Sequence, residues 1–188
     1  MSTGFDAVQF MLVGFSNVTL DPTKLEAIKP VVDKQEWIDD SSEDGLQEAS
    51  WCVGGKNRQE AIVVPQEYSE FVDYVDDLTR QMFGEDVHRD KAVMWMGGEE
   101  LDWHEHISDK EVEDYHWLIY LGDAEWRDDA GGLLLLKNAQ DPDNIFTVYP
   151  TYGTAVVLNN TNSNYLHKVT KYTPTSKRIV LQVSYYVD

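Results

Sequence analysis

The chain is 188 residues long and 42% hydrophobic, with six Trp, ten Tyr and six Phe, which is material for one sizeable core and excludes disorder as its main state. Its 15 Lys and Arg stand against 34 Asp and Glu, a formal charge of −19 that repels phosphate backbones and anionic lipid headgroups, so neither nucleic acid nor a membrane surface is an expected partner. The lone cysteine, Cys52, excludes an internal disulfide and, with no CxxC spacing present, a cysteine-rich zinc module.

The chain opens with MSTGFDAVQFMLVGF, which has no basic residue ahead of its apolar part, and no stretch approaches the roughly 20 apolar residues of a membrane span. The expectation is a cytoplasmic protein with no export signal. Leu25, Ile28 and Val32 after Pro22, and Tyr68, Phe71, Val75, Leu78 and Met82 after Pro65, recur at helical spacing and predict two amphipathic helices. Gly84 stands where a left-handed C-terminal cap of the second would. Between them, residues 38–56 carry DDSSED and the pair Gly54-Gly55 and predict an exposed loop with a short extended piece at 51–53.

After Gly84 the pattern changes to short β-rich runs at 92–96, 100–107, 116–121, 133–137, 145–148, 154–158, 166–170 and 178–187. The segments between them are rich in Gly, Pro, Asn, Asp, Ser and Thr, the residues of turns. With no linker and no internal repeat, the expectation is a single domain, 1–188, in which 1–84 supply an N-terminal strand and supporting helices. It is mainly β, with helices packed on an antiparallel two-sheet sandwich or jelly roll whose mouth is a natural place for a site.

Five histidines occur, His88, His104, His106, His116 and His167, and two of them form His104-Glu105-His106 near the end of a predicted strand. Alternation along a strand points both to one side, where two imidazoles can chelate one divalent ion and a third ligand from a neighbouring strand would complete a facial set. The plainer reading is a pair of surface imidazoles. His116 reads as a packed strand histidine on the face of Tyr120, and His88, beside Arg89, as solvent-exposed. Trp95, Trp103 and Trp117 read as core residues and Cys52 as a buried thiol. No GxSxG, phosphate-loop, dinucleotide-binding or HExxH pattern is present.

The residues downstream of the HxH have an order of their own. Trp103-His104-Glu105-His106 is succeeded by His116-Trp117-Leu118-Ile119-Tyr120-Leu121, then Gly131-Gly132-Leu133-Leu134, then Pro150-Thr151-Tyr152-Gly153, then His167-Lys168-Val169 and last Arg178-Ile179-Val180. From Trp103 to the C-terminus these blocks resemble the catalytic core of the Fe(II)/2-oxoglutarate-dependent oxygenases, in particular the prolyl-4-hydroxylase-like branch. The resemblance implies a double-stranded β-helix, a jelly-roll core over 85–188, with Fe(II), 2-oxoglutarate and O2 as cofactor and co-substrates. It implies that His104 and His167 bind iron from facing strands, that Arg178 pairs with the distal carboxylate of 2-oxoglutarate, and that Tyr120 offers its hydroxyl to the same group. The substrate it implies is an amino-acid or peptide side chain, prolyl among them, or another small molecule.

Two residues depart from the family pattern. At position 106 the family has Asp and this chain has His, which leaves three openings: His106 ligates directly, a neighbouring carboxylate (Asp102, Glu105 or Asp109) takes its place, or iron binding is weakened. Three neutral imidazoles would make the site more positive than the usual set. Alternation places Asp102 on the face of His104 and turns Glu105 away. Val180 stands where the family commonly has Ser, removing one hydrogen bond to the co-substrate. Two other readings stand beside this one. Gly98, His104, His106 and Glu111 partly resemble a cupin-type or three-His metal dioxygenase that works without 2-oxoglutarate, and a non-catalytic β-sandwich used for assembly or binding would make the histidine cluster incidental.

Overall fold

The computed structural model describes residues 5–39, 46–49, 65–98, 100–104, 113–161 and 165–188. In chain order they form α1 (Ala7–Val13), β1 (Phe15–Asn17), α2 (Pro22–Asp33), β2 (Trp37–Asp39), β3 (Leu46–Ala49), α3 (Gln66–Phe83) and β4 (Val87–Gly97). Next come β5 (Leu101–His104), β6 (Tyr115–Tyr120), a 3-10 turn (Asp128–Ala130), β7 (Leu134–Asn138), β8 (Asp141–Val148), β9 (Ala155–Asn159), β10 (Tyr165–Val169) and β11 (Ile179–Val187).

The last eight strands pair antiparallel in a nested series, β4 with β11, β5 with β10, β6 with β9 and β7 with β8. A long hairpin with its tip at the β7–β8 turn, rolled so that successive pairs fall in opposite sheets, is a jelly roll. The sheets run β1-β9-β6-β11-β4-β3-β2 and β5-β10-β7-β8. All eight predicted strands are present. β4 and β8 begin earlier than their apolar runs do, because residues 88–90 of β4 and the first five residues of β8 are solvent-exposed and held by backbone pairing rather than by burial.

Alternation along β11 divides the interior in two. Ile179, Leu181, Val183 and Tyr185 face a core shared with Ile28 and Val32 of α2 and Phe71, Val75 and Leu78 of α3. Val180 faces the four-stranded sheet, in a second core with Tyr120, Leu134, Leu136, Val156 and Val169. The helices therefore brace one side of the large sheet and leave the other for the site. Both form where periodicity predicts, α2 opening on Asp21, whose carboxylate accepts the Thr23 N–H, with Pro22 in the first turn.

Three expectations need correction. Gly84 does end α3, its N–H bonding to the Arg80 carbonyl, and its φ of 107° is one that favours glycine, but its ψ of 171° is not that of a left-handed helical cap. The stretch expected as an exposed loop contains strand: β2 pairs with β3, and β3 extends the large sheet along β4. Leu46-Gln47-Glu48-Ala49 has no alternation to announce it, since pairing to an existing edge needs only backbone groups. α1 went unpredicted, and its exposed Val8, Met11 and Leu12 show why, because they break any single apolar stripe. The piece at 51–53, Cys52 and the Gly54-Gly55 pair lie outside the described residues. No described helix is long and apolar enough to cross a membrane.

Candidate active site

β5 and β10 are neighbours in the four-stranded sheet, and their register sets His104 directly opposite His167. The two strands are thus adjacent in one sheet rather than facing across the sandwich. The imidazole centroids are 4.0 Å apart at 57°, close enough to share one ion, and His167 is buried. His104 Nδ1 lies 2.7 Å from the Asp102 carbonyl oxygen. A carbonyl can only accept, so Nδ1 carries the proton and Nε2 of the neutral ring keeps the lone pair for a metal.

The same strand corrects the placement of Asp102. Val169 pairs with Leu101 and His167 with His104, so β5 spends one residue more than β10 between those rungs, a β-bulge. Alternation fails across a bulge, and Asp102 turns outward. Its carboxylate is 91% exposed and accepts from Lys168 Nζ at 3.1 Å, and that bond holds its carboxyl below the usual range. Trp103 also lies on this outer surface, half-buried under Lys137 Nζ at 4.2 Å from its ring centroid, rather than in the core. Asp102→Ala is accordingly expected to leave divalent-metal affinity unchanged in an anaerobic titration, and a variant that no longer takes metal would return Asp102 to the ligand set. His106, Glu105, Asp109 and Glu111 lie outside the described residues. Among the described residues no group of three or more His, Cys, Asp or Glu could hold a metal.

Arg178 precedes β11 and is 6% exposed. Its Nε donates to the Gly132 carbonyl at 3.1 Å and its Nη1 to the Gly97 carbonyl at 2.8 Å, and among the described residues no carboxylate pairs with it. Its Cζ lies 5.4 Å from the ring centroid of Tyr120, whose hydroxyl is buried and has no hydrogen-bond partner among the described residues. Burial pushes the Tyr120 phenol up, against the opposing charge of Arg178, so the hydroxyl keeps its proton and can donate. A buried guanidinium with no carboxylate partner among the described residues, beside a buried hydroxyl that can donate, is chemically suited to hold an anion. Val180, opposite Tyr120 in register, adds only methyl groups to this space. Lys177, which with Arg178 lies before β11, is exposed.

One apolar cluster connects the two ends: Leu136 is the cross-strand partner of His167, Val169 lies two residues beyond it, and Val180 faces Tyr120. His116 sits on the face of Tyr120, its Nδ1 3.3 Å from Ser184 Oγ, while His88 is exposed and meets Asp188 at 3.0 Å. Trp117 is fully buried, and Trp95 packs against both cores. Sequence reasoning overlooked the Gly97 and Gly132 carbonyls that hold Arg178. The signal was the two doublets Gly97-Gly98 and Gly131-Gly132 at strand ends, where a missing side chain permits close approach.

A jelly roll that sets two histidines opposite each other on neighbouring strands, with a buried arginine and tyrosine around the same core, brings together donors suited to a metal and to an anion. Residues 83–186, more than half of the chain, match the family model of the 2OG-Fe(II) oxygenase superfamily, and the chain belongs to that superfamily. It is a dioxygenase that uses Fe(II), 2-oxoglutarate and O2. Among solved structures, a prolyl-4-hydroxylase from Pseudomonas putida is similar over 96% of both chains, with a TM-score of 0.65 at 15% identity. A prolyl hydroxylase from Trichoplax adhaerens, in complex with a hypoxia inducible factor peptide fragment, is similar over 96% of this chain and 86% of its own, with a TM-score of 0.64 at 14% identity. HygX from Streptomyces hygroscopicus, with nickel and 2-oxoglutarate bound, is similar over 97% and 87%, with a TM-score of 0.65 at 9% identity. No curated protein matches the chain. Membership of the superfamily overturns the cupin-type and non-catalytic readings.

Proposed function

We propose that this oxygenase hydroxylates a C–H bond of an amino-acid or peptide substrate, prolyl side chains included, with His104, His106 and His167 as the iron ligands and Arg178 and Tyr120 as the holders of 2-oxoglutarate. The observation that carries the reading is the buried Arg178 with no carboxylate partner among the described residues, set beside the Tyr120 hydroxyl and across one apolar cluster from the His104 and His167 rings. A dicarboxylate with a chelating 2-oxo acid end and a distal carboxylate matches that arrangement. When bound, iron with 2-oxoglutarate and O2 supplies the oxidant: one oxygen atom leaves in the succinate formed by decarboxylation, and the other enters the substrate C–H bond.

The chain's own residues supply position and charge. The Asp102 carbonyl fixes the tautomer and orientation of His104, and register brings His167 to it. Arg178 and the protonated Tyr120 donate to the distal carboxylate in a site that excludes water, where such hydrogen bonds are strong. His106 in place of a carboxylate would leave the ligand set neutral and the metal more electron-poor, which favours an anionic chelator. The peptide half of the proposal draws on the peptide complex of the Trichoplax adhaerens structure, and the small-molecule alternative on the HygX structure that holds hygromycin B.

The test is an anaerobic Fe(II) titration with and without 2-oxoglutarate, read by the weak visible charge-transfer band of the chelated 2-oxo acid. The band is expected in wild type and is expected to be lost in His106→Ala; metal binding without the band sinks the 2-oxoglutarate assignment. Proline-containing peptides are then assayed by mass for the gain of one oxygen atom. Turnover of small molecules with no gain on any peptide would replace the peptide substrate.

A further inference from the structure

We infer that Gly98 and Gly132 form a slot that positions Arg178, so that the arginine meets its anion through Nη1 and Nη2 and not through Nε. The inference rests on the assignment of Arg178 to the distal carboxylate of 2-oxoglutarate. A Cβ on Gly132 would lie 3.0 Å from Arg178 Cδ and 3.1 Å from Tyr172 Cδ2, and one on Gly98 would lie 3.1 Å from Arg178 Nη1 and 3.4 Å from its Cδ. Either is tighter than side chains ordinarily tolerate, and Gly132 is further restricted by its φ of +62°. The walls also bind. The Gly132 carbonyl takes the Nε hydrogen and the Gly97 carbonyl one on Nη1, while the Gly97 N–H returns to the Arg178 carbonyl at 2.9 Å. Tyr172 closes the side of the slot, its ring against Gly132 and its hydroxyl donating to the Ser176 carbonyl at 2.6 Å.

The consequence is geometric. With Nε committed to backbone, the hydrogens left for a ligand sit on Nη2 and on the remainder of Nη1, beside Tyr120. A bidentate guanidinium contact depends on a fixed plane, and two strand-end loops far apart in sequence supply it here. Gly98 and Gly132 are therefore positioning residues, acting on the co-substrate only through Arg178.

The test compares two 2-oxo acids on the anaerobic Ni(II)-loaded protein by calorimetry: 2-oxoglutarate, and 2-oxobutanoate, which has no distal carboxylate. Gly98→Ala is expected to weaken 2-oxoglutarate about tenfold, as misplacement of a binding group by a fraction of an ångström does. Gly98→Val should weaken it further, with Ni(II) binding and 2-oxobutanoate affinity unchanged in both. Equal loss for both acids, or no loss for either, overturns the inference, since a merely structural defect cannot distinguish them. If the Gly98 variants do not fold, Tyr172→Leu, which opens the other wall, carries the same expectation. Wild type binding both acids equally would refute the assignment of Arg178 itself, and the inference with it, whereas wild-type preference for 2-oxoglutarate lost by no slot variant refutes the inference alone.

Discussion

Replacing His167 by alanine is expected to lower divalent-metal affinity by more than about 100-fold, beyond what is lost when only a hydrogen-bond partner of a ligand is removed. His167 is buried and its ring centroid is 4.0 Å from that of His104. Its cross-strand neighbours Leu136 and His104 offer no replacement donor on its own side of the pair. His104→Ala is expected to have the same effect, because in the proposed site the pair holds one ion. His167→Gln, which keeps more of the side-chain volume, separates loss of the ligand from the cavity that alanine leaves in the core. Anaerobic titration with Fe(II) or Mn(II), followed by thermal unfolding, reads the result: metal should raise the wild-type midpoint and none of the variants' midpoints. Stoichiometric metal in His167→Ala would remove His167 from the site.

The second large effect belongs to Arg178. Arg178→Met keeps much of the bulk in the slot and removes the charge. Truncating one partner of a buried, hydrogen-bonded charge pair costs about 2–5 kcal/mol, so 2-oxoglutarate affinity should fall by at least about 30-fold while metal affinity stays as it was. Arg178→Lys should fall between, since an ammonium supplies charge without the planar fork. In the ligand-free protein the opposing terms are comparable. The methionine relieves a buried charge that has no counter-charge among the described residues, but leaves the Gly97 and Gly132 carbonyls without their donor. The reading therefore compares unfolding midpoints with and without 2-oxoglutarate in the metal-loaded protein, where the ligand-induced rise should be present in wild type and absent in Arg178→Met. A rise of wild-type size in the variant would move the distal carboxylate elsewhere.

Much of this site is legible in the chain before any strand is paired. Turn residues and short β-rich apolar runs mark all eight strands of the jelly roll, because turn chemistry and β propensity are local properties, whether a strand alternates in burial, as β10 does, or is buried throughout, as β9 is. The ordered blocks carry His104, Tyr120, His167 and Arg178, and the histidine at 106 is visible only there. Alternation also tells which way the β6 side chains face: Tyr120 turns to the core under the four-stranded sheet, and Trp117 and Ile119 turn to the other core.

Which inward residues meet is another matter, since that depends on register between strands far apart in sequence. His104 meets His167 only because β5 and β10 pair, and Arg178 reaches Gly97 across 81 residues and Gly132 across 46. The bulge in β5 reverses the expected direction of Asp102, because an extra residue is tolerated or not according to the partner strand, which local composition does not describe. Likewise β3 is a strand because β4 has an edge to offer. Local pattern thus determined α2, α3, the eight jelly-roll strands and the chemical types in the site, but not α1, β2, β3 or the facing of Asp102. Backbone hydrogen bonding between distant strands decided their juxtaposition, and with it the slot around Arg178.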